Sequence, residues 1–349
     1  MDKYNIDGHK MQYHPEWISD WRNKFTVYPL YVEISPVGQC NHRCIFCAVD
    51  FMEYKPRKID KNVLGACIED LSFGGTKSVM FGGEGEPMLH PDIIDITNFA
   101  ATKLDVGFTT NGSMMNRDFI VMALPSCTFV KVSVNAGDAE TYARIHRVPP
   151  EHFERTMDNI YNACERKRAL GIRTAIGVQC LLLPENVLSI PALAKRCAEI
   201  GVDYLVLKPY SHQVKSFHGD KLTFDYTETI NQSMQFATST TEITARMDTM
   251  EAYSAQNRGY SKCHATPYLW AYICSTGDVY ACSNYLLDER FNFGNINSSS
   301  FYDVWHGDKR KALIESGIDI TDCRKCCRMD KCNRYLEDML NPPPHVNFI

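Results

Sequence analysis

Between residues 30 and 210 the chain alternates short β-rich runs with longer stretches of helical period. Runs rich in Val, Ile, Phe and Thr predict strands at Tyr31–Ser35, Lys77–Phe81, Val106–Thr110, Phe129–Val134, Arg173–Leu182 and Tyr204–Lys208. Between the first two lies Asp60–Phe73, which places Val63, Leu64, Cys67, Ile68 and Leu71 on one helical face. Glu151–Leu170 does the same with Phe153, Met157, Ile160 and Cys164. Strand alternating with helix implies parallel strands joined by right-handed crossovers. Six such units suit a partial (β/α)6 barrel or a doubly wound open sheet, and the pattern alone does not separate them. Residues 211–260 are more polar, with a predicted helix around Tyr226–Met250, and read as a connection. The tail NPPPHVNFI carries three prolines, which exclude a helix.

The bulk properties narrow the class. A chain of 349 residues suits one large α/β domain and a small second one. A net charge of −5 gives no electrostatic reason to expect nucleic acid, and Arg166, Lys167 and Arg168 read as a solvated helix face. No apolar run reaches the length of a membrane span, and the N-terminus lacks the apolar stretch of a signal peptide. Fifteen cysteines, concentrated in two short patches of a long chain, favour metal ligation in a reducing cytoplasm over a disulfide scaffold.

The first patch is QCNHRCIFC, with Cys40, Cys44 and Cys47 spaced C-x3-C-x2-C and Phe46 before the last. Three thiolates on one loop can hold three irons of a [4Fe–4S] cluster and leave the fourth open to a small molecule. A zinc knuckle prefers paired halves, and a disulfide leaves one cysteine over. This run resembles the radical S-adenosylmethionine (SAM) superfamily. The resemblance favours the partial (β/α)6 TIM-like barrel. It implies that the open iron chelates SAM and that the reduced cluster splits it to a 5′-deoxyadenosyl radical. An electron donor such as flavodoxin or ferredoxin is implied with it.

Several strand ends extend the resemblance. FGGEGEP follows the second strand and is similar to the GGE motif that holds the amino group of SAM, implicating Gly82, Gly83 and either Glu84 or Glu86, with Glu86 preferred. Asn111 in TTNG is a further polar candidate. In SVNAG, Ser133 and Asn135 stand where relatives carry a serine and an aspartate that contact SAM; the asparagine removes a charge. Arg144, His146 and Arg147 follow, and Arg147 is the candidate partner of the SAM carboxylate. Cys180, Lys208, Tyr210 and His212 are placed to face the pocket. The apolar neighbours of Cys180 favour a core role, and its catalytic alternative is hydrogen-atom donation to a substrate radical.

The second patch runs C-x13-G-x4-C from Cys263 to Cys282, then C-x2-C-x5-C through Cys323, Cys326 and Cys332. A zinc ribbon needs its paired thiolates closer than Cys263 and Cys282 stand. The pattern is similar to the SPASM/twitch extension of radical SAM enzymes, as is VWHGDKR from Val304 to Arg310. A full SPASM set continues with a cysteine where this chain has Leu336. The truncated set implies one auxiliary [4Fe–4S] cluster on Cys263, Cys282, Cys323 and Cys326, with Cys332 able to replace one of them and Cys274 and Cys327 as spares.

The expected organisation is an N-terminal extension (1–29), a radical SAM barrel (30–225), a connecting helical segment (226–260), a SPASM/twitch domain (261–340) and a tail (341–349). The expected activity is that of a cytoplasmic radical SAM oxidoreductase acting on a small polar molecule: a sugar, aminocyclitol or nucleotide-linked sugar undergoing oxidation, epimerisation or decarboxylation. The short segment before the first strand leaves little room for a leader-peptide-binding domain. One alternative is a peptide-modifying enzyme making thioether or carbon–carbon crosslinks or epimerised residues. The other is a non-enzymatic iron–sulfur or zinc protein. Neither a membrane nor a nucleic acid is an expected partner.

Overall fold

A computed structural model describes residue 4 and residues 10–24, 26–211, 213, 215–217, 225–246, 258–324 and 327–348. Its strands are β1 (Tyr31–Ile34), β2 (Ser78–Phe81), β3 (Asp105–Thr110), β4 (Phe129–Ser133), β5 (Ala175–Leu182), β6 (Tyr204–Pro209), β7 (Glu242–Ala245), β8 (Trp270–Ile273), β9 (Asp278–Tyr280) and β10 (Asn292–Asn295). They form one sheet in the order β10-β9-β8-β1-β2-β3-β4-β5-β6-β7, with β1 to β7 all parallel. Each crossover therefore steps one strand in the same direction. A doubly wound sheet reverses its order at a switch point, so this is the partial barrel.

Local chemistry sets the element ends. Asp60 caps the helix Lys61–Phe73 by accepting from the Asn62 backbone N–H. Gly171 and Gly201 end the helices Glu151–Leu170 and Ile190–Ile200 in the left-handed conformation that glycine tolerates. The strands alternate faces. Val32, Ile34, Val79, Phe81, Val106, Phe108, Val130, Val132, Ile176, Val178, Leu205 and Leu207 all belong to the buried core. They occupy one parity along their strands, and the opposite parity supplies the barrel interior.

The connecting segment differs from its expectation. Among the described residues the helix there is Thr227–Met234, and Glu242–Ala245 pairs parallel with β6 as β7. The run TSTTEITA, residues 238–245, is rich in β-branched threonine, and the open edge of β6 offered it a ladder. Residues 247–250 of the predicted helix lie outside the described residues.

The C-terminal region joins the barrel at its other edge. Strand β8 pairs parallel with β1, and β9 and β10 extend it antiparallel. Trp305, from the tryptophan-bearing segment, is fully buried and donates from Nε1 to the Val27 carbonyl at 2.8 Å. Arg310 packs over its ring, 4.0 Å from the centroid, and bonds the Pro267 and Trp305 carbonyls. No described helix is long and apolar enough to cross a membrane.

Candidate active site

The first cysteine loop follows β1, at the C-terminal end of the barrel. Backbone bonds from Arg43 N–H to the His146 carbonyl (3.0 Å) and from Ile45 N–H to the Ile145 carbonyl (2.9 Å) fix it against the helix Ala139–His146. Cys40, Cys44 and Cys47 are free thiols, each half-buried, and their charges couple to one another. Burial pushes all three upward, Cys40 to about 12. A metal must therefore displace their protons on binding. Three soft, convergent, unbridged donors on one loop fit the iron–sulfur cluster that the spacing implies.

Two histidines back the loop. His146 Nε2 sits 2.6 Å from the Val134 carbonyl and Nδ1 lies 3.2 Å from Cys44 Sγ. The carbonyl can only accept, so Nε2 carries the proton and Nδ1 faces the sulfur. Burial holds His146 down at about 4. The His42 ring stands against those of His146, Tyr142 and His152 and is held neutral by burial, at about 3. His42, Cys44 and His146 place their ligand atoms within 4.8 Å of one another. No sequence signal pointed to His146 at Cys44, because the contact is made across 102 residues.

The glycine-rich turn after β2 packs on this loop. Gly83 has φ +100° and lies against Tyr272 and Ser35, where a Cβ would come within 2.4 Å of the Tyr272 hydroxyl. The two carboxylates of the turn point into protein. Glu84 accepts from Arg57 (2.9 Å), from Ser275 N–H (2.9 Å) and from the Ser275 hydroxyl (2.8 Å), joining the turn to the C-terminal region. Glu86 accepts from the Thr110 hydroxyl (2.6 Å), Asn111 N–H (2.7 Å) and Met88 N–H (3.1 Å). Burial raises its pKa, opposed by those hydrogen bonds.

A cavity of about 350 Å³ fills the barrel interior between the two cysteine patches. Phe46, Cys47, Gly83 and Ser133 line it, and so does Lys208. The other sequence-predicted contacts lie outside its lining. Gly82 faces Thr109, and Asn111 bonds Asn41 of the cysteine loop at 2.8 Å. Asn135, at φ +61°, accepts from Leu181 N–H at 2.7 Å and is fully buried. Arg147 ends its helix in the left-handed conformation and is exposed, which removes it from the pocket.

Cys180 is corrected by strand parity. Gln179 points into the cavity, so Cys180 points outward to the helices. Its thiol is fully buried and pushed up by desolvation, near Cys197 and the Asn186 amide. It is a core residue with no path to a substrate. Tyr210 is buried outside the lining, and His212 lies outside the described residues.

In the second patch, the charge of Cys327 couples to those of Cys263, Cys282 and Cys323. Cys332 couples to Cys327 and Cys263. Cys326 lies outside the described residues. The fold thus brings Cys263, Cys282 and Cys323 of the expected set near one another, with Cys332, the named replacement, and Cys327, which sequence reasoning left as a spare. Cys274 is buried beside Glu84. Cys327 also lines the cavity, as Cys47 does.

The comparisons agree with this architecture. The radical SAM superfamily model matches residues 34–203, and SPASM, an iron–sulfur cluster-binding domain, matches residues 263–327. The chain is 22% identical over 325 residues to the tungsten-containing aldehyde ferredoxin oxidoreductase cofactor-modifying protein of Pyrococcus furiosus, covering 87% of this chain and 88% of that one. It is 26% identical over 190 residues to the GTP 3′,8-cyclase of Chlorobaculum tepidum, covering 53% of this chain and 56% of that one. Among solved structures, SuiB of Streptococcus suis bound to S-adenosylmethionine superposes with a TM-score of 0.68 at 18% identity, covering 96% of this chain and 80% of that one. The enzyme anSMEcpe with bound AdoMet gives 0.56 at 15% identity, covering 92% and 98%. Those two likenesses show a shared fold. With one domain model on the barrel and the other on the C-terminal cysteines, the chain belongs to the radical SAM superfamily, as an enzyme with a SPASM domain that uses [4Fe–4S] clusters and SAM.

Proposed function

We propose that this enzyme generates a radical from SAM and directs it at a small polar molecule held inside the barrel. Cys40, Cys44 and Cys47 would hold the cluster, which when bound supplies the electron that splits SAM to methionine and a hydrogen-abstracting 5′-deoxyadenosyl radical. Phe46, Gly83 and Ser133 would form the SAM side of the cavity. Glu84 and Glu86 support that side from behind, holding the glycine turn and the cysteine loop in place. The observation that carries the reading is the cavity itself. At about 350 Å³ it is at the small end of ligand pockets, and it lies between Cys47 and Cys327. Its walls carry polar side chains suited to fixing an oxygen-rich ligand.

The auxiliary cysteines Cys263, Cys282, Cys323 and Cys327 would hold a second cluster beside the same cavity. Its place there suits electron removal from a substrate radical, hence a two-electron oxidation. The names of two relatives, a cofactor-modifying protein and a GTP cyclase, accord with a small substrate. Solved neighbours with bound peptide support a second reading, in which a peptide segment enters the barrel mouth.

The test is formation of 5′-deoxyadenosine by anaerobically reconstituted, reduced protein. The wild type should form it and Cys44→Ala should not. Stimulation by sugars or aminocyclitols supports the small-molecule reading; stimulation by peptides alone transfers the proposal to the second. Absence of SAM cleavage in iron-replete protein would remove both.

A further inference from the structure

Among the described residues, the cavity lining carries more cationic than anionic side chains. Lys131, Lys208, Arg246, Arg324, Arg328 and Lys331 line it, against only Glu33 and Asp330. Both carboxylates are already engaged. Glu33 accepts from Arg328 at 2.6 Å, and Asp330 accepts from Tyr260 and Arg334, each at 2.8 Å.

Lys131 is the telling member. It sits in the middle of β4, points inward and is 6% exposed. Among the described residues its ammonium has no hydrogen-bond or ion-pair partner, and its charged neighbours are Lys208, Arg328 and Glu33. Burial, reinforced by the two cations, drives its pKa well down in the protein alone. A buried unpaired lysine is costly and is kept where something else supplies the counter-charge. Buried polar atoms of cavity-lining residues that lack hydrogen-bond partners among the described residues include the Tyr272 hydroxyl and the Gln179 Oε1. A hydroxyl group satisfies both.

The two cofactors do not account for Lys131. Arg258, Arg324 and Arg328 are cations that interact with the auxiliary cysteines, and no cysteine is among the charged neighbours of Lys131. Ser133 ends β4 at the SAM side, whereas Lys131 lies two residues, about 6–7 Å, deeper.

We infer that Lys131, Gln179 and Tyr272 form a substrate subsite for a small hydroxylated anion, with Lys131 holding its carboxylate or phosphate and Gln179 and Tyr272 its hydroxyls. This deepens the small-molecule reading above and rests on it. The anion anchors deep in the barrel near Arg328, which leaves the hydroxyl-bearing carbons toward Phe46 and Cys47.

Isothermal titration of the anaerobic holoenzyme with glucose 6-phosphate, glucuronate and glucose tests it. At least one anion should bind tenfold or more tighter than glucose. Selective binding of the first identifies phosphate and of the second carboxylate. Lys131→Met should erase the preference while leaving the SAM dissociation constant within twofold, and Lys131→Arg should restore part of it. The subsite is refuted if none of the three binds, if glucose matches the anions, or if Lys131→Met leaves the preference intact. It is equally refuted if SAM affinity falls in parallel with sugar affinity, or if both variants merely melt at lower temperature and lose all ligands together. An anion preference in protein that never cleaves SAM would sustain the subsite and sink the radical reading instead.

Discussion

Replacing Gly85 with alanine probes the joint between the glycine turn and the cysteine loop. A Cβ at this position would lie 2.3 Å from the Gln39 carbonyl oxygen, 2.4 Å from that of Val37 and 2.9 Å from the Gly38 carbonyl carbon. All three are backbone atoms of the segment leading into Cys40, so no side chain can rotate aside. Relief to 3.0 Å from the nearest requires 3.0 − 2.3, or about 0.7 Å, of loop displacement. The bond from Glu86 N–H to the Gln39 carbonyl, 3.0 Å, stretches with it. Overpacking of this kind costs about 1–3 kcal/mol, and the strained hydrogen bond about 1 more. The larger effect falls on chemistry, since a misplacement near 1 Å costs about a hundredfold in rate. Gly85→Ala should therefore lose most SAM cleavage and a substantial share of the iron at the first site. Iron per chain and 5′-deoxyadenosine after anaerobic reconstitution measure it. Gly65→Ala is the control: it lies in the helix Lys61–Phe73 with its nearest neighbour at 3.8 Å, and should gain about 0.5–1 kcal/mol with iron intact. Full iron and full SAM cleavage in Gly85→Ala would refute the contact between turn and loop.

Three further outcomes follow. Cys180→Ala should keep both SAM cleavage and product formation and lose about 1–2 kcal/mol of stability from a small core void; loss of product with SAM cleavage intact would restore the hydrogen-donor role. His90 donates from Nε2 to the Ile59 carbonyl at 2.8 Å and accepts Asp92 N–H at Nδ1, so it is held neutral, its pKa lowered from 6.5 chiefly by burial. Its contribution is complete above about pH 6.5 and declines as pH falls toward the depressed folded value. Urea midpoints at pH 7.5 and 5.5 should accordingly differ more in wild type than in His90→Gln, and equal differences would contradict the assignment. Cys327→Ala should lower iron from about eight per chain to about four, whereas Cys332→Ala should spare most of it; the reverse result would exchange their roles, and about twelve irons in wild type would demand another auxiliary cluster.

Much of the barrel was legible because its strands are short, apolar and separated by strongly periodic helices. All six strands expected between residues 30 and 210 are present, and Glu151–Leu170 has the same ends in sequence and structure. Strand β7 was missed because its threonine-rich run becomes a strand only by pairing with the open edge of β6, which lies outside the local pattern. Strands β8 to β10 were hidden in a region read for its cysteines. The cavity lining had a signal that parity makes readable: Glu33, Lys131, Gln179 and Lys208 each interrupt an apolar strand at an inward position. Cys180 interrupts nothing, which is why the sequence left both of its roles open. The pairing of Arg328 with Glu33 spans 295 residues and depends on the C-terminal region folding back over the barrel, beyond any local pattern. The Glu84 network has the same origin, since Ser275 reaches it only after β8 has joined β1.

The central claim is that a radical made beside Cys40, Cys44 and Cys47 reaches a small hydroxylated molecule within the barrel. Deuterium transfer tests it most directly. With a pyranose phosphate or uronate deuterated at its ring carbons, the reduced holoenzyme should produce 5′-deoxyadenosine carrying deuterium, and Lys131→Met should lose that transfer. Deuterium arriving only from a labelled peptide, with none from any sugar anion, would contradict the account.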